Sequence, residues 1–328
     1  MKINVPKSFL GICAAAMVMA VTSAAFAADA FPSKPISWVV PYPTGGFGDS
    51  LSRSIAQKMA KTLGVPVIVE NRPGAGAQIG VNYVKRQPAD GYTILYGDLG
   101  PFSMNPGLYP KLDYNMQTDF VPLTRLLATP TLLVVRADSP LNSVDELIKA
   151  SKDGGRVTYG SYGVGSAPHV WGEMLRLETG GNFEHVAYKG ASPALQDLVG
   201  GHIDVINDVV ASSAPFVRDG RIKALAVVGV DERLPEFSNI PTLTELGYGS
   251  LNMLGWTGVA VKAGTPQPIV DKLYAAVVDA INTPEVVRPF TELGMFVAPQ
   301  EPDEFRQYIS SETARWGEVI RKAGISLD

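Results

Sequence analysis

The chain of 328 residues has a single cysteine, Cys13, and only three histidines. This excludes a disulfide scaffold and a cysteine-built zinc site, and it leaves little material for a histidine-rich metal centre. Positive charge is scarce as well: 28 Lys and Arg stand against 32 Asp and Glu, a formal net charge of −4. Such a chain has no general electrostatic grip on nucleic acid or on anionic lipid. Beyond residue 27 no stretch approaches 18 uninterrupted apolar residues, so no later segment reads as a membrane span. The chain is nevertheless 46% hydrophobic, too apolar for disorder, and its Gly and Pro follow no fibre period. Its length suits two ordinary domains.

The first 27 residues read as a secretory leader. Lys2 and Lys7 precede an apolar stretch from about Phe9 to Val21, and Ala25-Phe26-Ala27 fits the small-x-small rule for cleavage before Ala28. Cys13 sits inside the apolar stretch behind Ile12, which argues against a lipoprotein. Removal of the leader leaves 301 residues, no cysteine and a net charge of −6.

The remaining chain alternates β-like and helical runs. Ile36–Val40 reads as a strand. Leu51, Ile55, Met59 and Leu63 then repeat every four residues, the stripe of an amphipathic helix that Gly64 ends. Val67–Val69, Tyr92–Tyr96, Val157–Tyr159, His185–Tyr188, Ile203–Ile206 and Ile222–Val228 read as further strands. Between and after them come helices near Gln78–Arg86, Ser166–Thr179, Ser192–Val199 and Ser213–Arg218. Ser143-Val144-Asp145-Glu146 forms a capping box. Thr265-Pro266 and Thr283-Pro284 open two of the last three helices, and the third runs from about Pro302 to Lys322. The alternation implies an α/β fold with mostly parallel sheets in two lobes. Val121–Ala137 and Leu251–Ala263 break it and read as paired segments crossing between lobes. The division expected is a leader at 1–27, a first lobe at 28–126 plus 255–328, and a second at 127–254.

Three glycine-rich turns carry the functional reading. They are Pro41–Asp49, Asn71–Gly80 and Tyr159–Ser166, each at the carboxyl end of a strand and the amino end of a helix. Free backbone N–H groups and the helix dipole favour anions there, and glycine lets a ligand approach the backbone closely. Open α/β sheets bind ligands at this edge. Two turns from one half and one from the other suggest two lobes offering donors to one small anion. Gly74-Ala75-Gly76-Ala77-Gln78-Ile79-Gly80, with Asp98 beyond, imitates a dinucleotide fingerprint, but Asn71-Arg72-Pro73 lengthens the turn past the tight form. No P-loop, metalloprotease or nucleophile-elbow motif is present, and no spacing pairs a nucleophile with a base. His185 and His202 read as ordinary strand-edge and loop residues.

Taken in order, these motifs resemble a known family. They are Pro41-x-x-x-Gly45-Gly46-x-x-Asp49, Glu70-Asn71-Arg72-Pro73-Gly74-Ala75-Gly76, Pro88-Ala89-Asp90-Gly91-Tyr92 and Gly165-Ser166-x-x-His169. Tyr188-Lys189-Gly190, Gly200-Gly201-x-x-Asp204 and Pro241-Thr242-Leu243 follow. The set resembles the Bug family, the periplasmic solute-binding proteins of tripartite tricarboxylate transporters, over essentially the whole chain after the leader. The resemblance implies a two-lobed, type II-like periplasmic-binding-protein fold with two crossing strands as its hinge. It implies capture of a small carboxylate in the periplasm by flytrap closure, without catalysis, cofactor or metal. It also implies integral-membrane transporter subunits as partners, a monomeric chain, and carboxylate contacts through backbone groups and bridging waters. The alternatives left open are a ligand sensor for a signalling partner and a secreted enzyme.

The candidate ligand-binding residues follow. Tyr42, Thr44, Gly45 and Gly46 line one side, with Ala75, Gly76 and Gln78 beside them and Ser166 and His169 opposite. Lys189 could meet a distal carboxylate. Phe47 and Ala77 depart from the family pattern: Phe47 either packs within its lobe or stacks on ligand, and Ala77 stands where Gly is common. Asp49 is odd beside an anion and could instead hold its helix, whereas Asp208 could accept from a ligand hydroxyl or amine. Arg72 reads as an ion pair with Glu70 and Trp256 as packing near the hinge.

Overall fold

A computed structural model describes residues 31–152 and 154–327, so the leader expected at residues 1–27 lies outside the described residues. The first sheet has the order β11-β4-β10-β3-β1-β2. Its strands are β1 Ile36–Val40, β2 Val67–Asn71, β3 Thr93–Asp98, β4 Phe120–Thr129, β10 Gly255–Lys262 and β11 Phe296–Val297. The second sheet, β7-β6-β8-β5-β9, is built from β5 Thr131–Arg136, β6 Val157–Ser161, β7 Phe183–Ala187, β8 Val205–Val209 and β9 Ile222–Val228.

The helices are α1 Phe47–Leu63, α2 Gln78–Lys85, α3 Asn105–Leu108, α4 Val144–Lys152 and α5 Ala167–Thr179. Then come α6 Ala191–Gly200, α7 Val210–Arg218, α8 Gln267–Ile281, α9 Pro284–Thr291 and α10 Pro302–Ala323. A π-helical turn, Gly100–Met104, leads into α3, and the sequence pattern does not announce either piece. In α1 the predicted stripe is realised: Leu51, Ile55 and Met59 are fully buried, and Gly64 ends the helix in the left-handed region at φ 72°. The capping box at α4 is shifted by one partner. Ser143 Oγ accepts from Glu146 N–H at 3.1 Å, while Glu146 accepts from Asn142 N–H at 2.6 Å. Pro266 caps α8 one residue later than expected, and α7 begins at Val210 rather than near Ser213.

The expectation of mostly parallel sheets is corrected. β1 pairs in parallel with β2 and β3, and β6 with β7 and β8, but β10 and β5 run antiparallel to their neighbours. The reason is the passage between sheets. β4 runs the same way as β3, since both are antiparallel to β10, so it leaves the first sheet at the carboxyl edge. After Pro130 the chain enters the second sheet as β5, antiparallel to β8, and therefore also at a carboxyl edge, with Thr131 opposite Val209. β4 stays in the first sheet to Thr129, beyond residue 126, and Gly255 of β10 lies opposite Thr129. The return passage, residues 229–254, includes two short 3-10 turns.

Two cores flank the sheets and a third joins them. Ile36, Trp38 and Val40 pack against Leu51, Ile55, Leu273 and Val277. Leu132, Val134 and Ile206 pack with Leu195 and Leu198. The joining core takes Phe102, Trp256, Phe305 and Trp316 together with Leu133, Val135, Tyr159 and Trp171. Each fully buried Leu, Ile, Val or Phe side chain is worth about 1.5–3 kcal/mol of apolar transfer. α10 crosses this core, and its Arg315 donates to Ser250 O at 3.2 Å.

Candidate functional site

The first turn is held from beneath. Asp49, buried at the start of α1, accepts from Gly45 N–H at 2.9 Å and from Arg53 Nε at 3.1 Å, and it pairs with Arg53 Nη2 at 2.9 Å. Burial pushes its carboxyl up, but the Arg53 and Gly45 donors outweigh that and hold it below the ordinary value. Thr44, Gly45 and Gly46 are exposed. Phe47 meets Phe290 of α9 edge-on at 5.7 Å and keeps 37% exposure. Arg53 also donates to Asn71 Oδ1 at 3.1 Å, and Asn71 Nδ2 to Tyr42 O at 3.1 Å, which ties the first turn to the second.

In the second turn four successive residues have positive φ: Gly74 126°, Ala75 47°, Gly76 58° and Ala77 75°. Ala75 and Ala77 therefore hold a conformation that an L side chain resists by about 1–2 kcal/mol. Gly74, Ala75 and Gly76 are exposed, and Gln78 is half-buried at the start of α2. A curl of this kind turns N–H groups outward as a nest for negative charge. Asn105 Nδ2 donates to Gly76 O at 2.8 Å, and a Cβ on Gly76 would lie 2.2 Å from Tyr109 Oη. Arg72 pairs with Glu70 at 2.9 Å and stacks 3.5 Å over Tyr83. A hollow of about 420 Å³ beside the turn is lined by Arg72, Ala75, Gln78, Tyr83 and Arg86 among others.

The third turn spends more of its donor capacity internally than the first two, which give up Gly45 N–H to Asp49 and Gln78 N–H to Ala75 O. Gly163 N–H donates to Ser161 Oγ, Ser166 N–H to Gly163 O, and Gly165 N–H to His169 Nδ1 at 2.9 Å. Ser166 Oγ donates to Gly163 O at 2.6 Å. His169 is buried and stacks on His185, whose Nε2 lies 2.6 Å from Ser161 Oγ. A hydroxyl and an imidazole are thus paired where no sequence spacing announced it. The parallel register, with Tyr159 opposite His185, brings β6 and β7 together there.

The two sheets place a tyrosine after one strand and an aspartate at the end of its neighbour. Tyr42 follows β1 and Asp98 ends the adjacent β3, where it accepts from Gly100 N–H at 2.9 Å. Tyr162 follows β6, and its hydroxyl donates to Asp208 near the end of the adjacent β8. Burial pushes both carboxyls up, against the donors that face them. Both tyrosines are raised further, by burial and then by the facing carboxylate. Asp208 is fully buried and also accepts from Ser212 Oγ at 2.6 Å and from Ser213 Oγ. Its acceptor capacity is spent inside its own sheet. Lys189 is exposed after β7. Trp256 is buried, 3.4 Å from Glu312 Oε2. Among the described residues no group of three or more His, Cys, Asp and Glu is placed to hold a metal, and no helix is long and apolar enough to cross a membrane.

The chain passes from one sheet to the other through Thr129-Pro130-Thr131, which lies at the carboxyl edge of both sheets, the edge that also carries the three turns. Residues 51–325 match the tripartite tricarboxylate transporter family receptor, TctC. The chain belongs to the TctC family. A relative from Pseudomonas sp. strain P51, described as a UPF0065 protein in the tcbD-tcbE intergenic region, is 37% identical over 89% of this chain and 87% of its own. Among solved structures the periplasmic binding protein BugD superposes with a TM-score of 0.75 at 33% identity, over 90% of this chain and 100% of its own. MatC from Rhodopseudomonas palustris, solved with malate, gives 0.73 at 32% identity over 88% and 100%. R. palustris Rpa4515, solved with adipate, gives 0.77 at 32% over 90% and 100%. BugD is described as a periplasmic binding protein, and a TctC solute-binding protein from Polaromonas superposes with a TM-score of 0.78 at 33% identity over 89% of this chain and 99% of its own. The residues that sequence reading missed are Asp98, Ser161, Tyr162, Asn105 and Tyr109. Of these only Asp98 carried a sequence signal, its place at a strand end.

Proposed function

We propose that this TctC protein captures a small carboxylate in the periplasm between its two α/β lobes and delivers it to integral-membrane transporter subunits. The observation that carries the reading is the meeting of both carboxyl edges at the Pro130 passage, with an exposed run of positive-φ backbone at Gly74–Ala77. The amide groups of Thr44, Gly46, Ala75 and Gly76 would hold the carboxylate, with Tyr42 at their base, while Gly45, whose N–H goes to Asp49, and Gln78, whose N–H goes to Ala75 O, would shape the two turns. The second lobe would meet it through Ser166, the amino end of α5 and, at a distance, Lys189. His169 would act by fixing Gly165, and Asp49 and Asp208 by holding their turns, because Asp49 faces Gly45 N–H and Arg53 and Asp208 faces three hydroxyls. The lobes would divide at Pro130 and within residues 229–254, and ligand touching both would shift the population toward closure. The malate and adipate held by relatives support the carboxylate class.

Gly46→Trp tests this. Gly46 has φ −78°, and a Cβ there would meet nothing nearer than Pro43 O at 3.6 Å, so the fold tolerates a side chain that covers the turn. The wild type should gain about 2.7 kcal/mol of stability from a carboxylate at 100 times its Kd, seen in a thermal-shift screen of mono-, di- and tricarboxylates. The variant should fold and show no such gain. Equal gains in both proteins would refute the assignment of the turns.

A further inference from the structure

The second and third glycine turns belong to different sheets, yet one short element touches both. At its amino end α3 presents Asn105, whose Nδ2 donates to Gly76 O at 2.8 Å. The next residue after α3, Tyr109, places its hydroxyl against Gly76. At its carboxyl end α3 presents Leu108, buried, whose methyl groups lie beside Gly165 of the third turn: a Cβ on Gly165 would come within 3.3 Å of Leu108 Cδ1. The segment after α10 completes the contact. Leu327 N–H donates to Leu108 O at 2.7 Å, and Leu327 Cδ1 would lie 2.7 Å from the same Cβ. α3 packs closely on α10, where a Cβ on Gly107 would lie 3.2 Å from Gly317 Cα, and in the π-helical turn before it Ser103 Oγ donates to Ile309 O at 3.3 Å. Gly165, at φ 79°, is thus glycine for two reasons: its backbone conformation, and the two leucines packed against its bare α-carbon.

We infer that α3 together with Leu327 is an interlobe strut that sets the spacing between the second and third turns, with Leu108 and Leu327 as positioning residues for ligand capture. The contacts that define the strut are read without the carboxylate assignment. Its effect on affinity rests on the carboxylate reading given above. A strut that limits how far the turns separate in the closed arrangement lowers the ordering cost of a ligand that must bridge them. Its loss lets the third turn sample wider separations, which dilutes the binding-competent state.

Cys13 is the sole cysteine and lies in the leader, so paired labels can be introduced cleanly. Spin labels at Ile68→Cys, on β2, and Leu177→Cys, on α5, are both at exposed positions, one in each sheet's unit. In ligand-free protein, Leu327→Ala should broaden the label-to-label distance distribution, Leu108→Ala should do the same, and Leu327→Met should restore it. Titration with malate and with adipate should show five- to tenfold weaker binding for the alanine variants of whichever compound the wild type binds. A residue with a merely structural role would lower thermal stability and leave both the distribution and the affinity of the folded protein unchanged, and that result would overturn the inference. Should the wild type bind neither compound, the distance measurement alone decides: unchanged distributions refute the strut, and broadened ones support it while the carboxylate reading fails separately. If Leu327→Ala does not fold, Leu108→Ala carries the same two readouts.

Discussion

The imidazole of His169 lies face to face over that of His185, ring centres 3.8 Å apart and planes within 12°. Tyr159 also stacks on His185, ring centres 5.1 Å apart, and Ser161 Oγ sits at its Nε2. Glu173, nearby on α5, is engaged by Tyr159 Oη at 2.7 Å and by Arg176 Nε at 2.8 Å. Burial, and after it the neighbouring His169, lowers the His185 pKa to about 4. Burial also holds His169 below its ordinary value, against an upward pull from Glu173. In the unfolded chain both rings take up protons near pH 6.5, about two units or more before folded His185 does. The unfolded state therefore binds more protons between roughly pH 6.5 and 4, and stability falls as pH drops through that window. Thermal unfolding should show Tm fall from pH 7 to pH 4.5, and His185→Phe should flatten the slope. A slope of equal steepness in wild type and variant would remove the stack from the explanation.

Tyr162→Phe deletes one donor to Asp208 and leaves the ring in place. Asp208 is fully buried and keeps only Ser212 and Ser213 as side-chain donors. A buried acceptor deprived of a partner costs about 1–3 kcal/mol. Chemical denaturation should show a loss of that size with an unchanged slope against denaturant. Asp208→Asn in the Tyr162→Phe background should cost little more. A loss equal to the sum of two full penalties would mean that the residues do not act as a pair.

The sequence made the parallel βα units legible because each has a hydrophobic period and a turn chemistry of its own. Leu51, Ile55 and Met59 mark α1, and Gly45, Gly76 and Gly165 mark the edge where the turns lie. What stayed hidden depended on contacts between distant segments. The antiparallel direction of β5 follows from where Pro130 lets the chain enter, and no residue in Thr131–Arg136 encodes it. Asp208 reads as an acceptor for a ligand hydroxyl or amine until Tyr162, 46 residues away, is seen donating to it. Lone motif glycines likewise suggested three donor turns, whereas His169 and Ser161 consume amides of the third.

Ala75 is exposed with φ 47°, so its methyl group contributes no burial and carries the left-handed penalty. Ala75→Gly removes the penalty and should stabilise the protein by about 1 kcal/mol, less the entropy glycine adds to the unfolded chain. Ala75→Val places a β-branched side chain in the same conformation and should destabilise. Urea melts of the two variants check the sign. Stabilities that fall together would mean that the Ala75 side chain has a packing role the strain argument omits.

Asp49 separates two roles that a carboxylate beside an anion site could have. Its oxygens face Gly45 N–H and Arg53, and burial leaves little of it for a ligand. If it acts by holding the first turn, the essential property is an acceptor at the Gly45 amide, and charge is secondary because the Arg53 side of the pair is half exposed. Asp49→Asn keeps a carbonyl oxygen there and should bind carboxylates within about threefold of wild type. Asp49→Ala removes it and should lose about 1–2 kcal/mol of stability, the range for a lost helix-start acceptor. The released Gly45 should then weaken binding about tenfold, a 1.4 kcal/mol effect. Calorimetry on both variants decides between the roles. Equal, severe losses in Asn and Ala would show that the charge itself meets the ligand, and would point to a solute carrying a cationic or strongly donating group opposite its carboxylate.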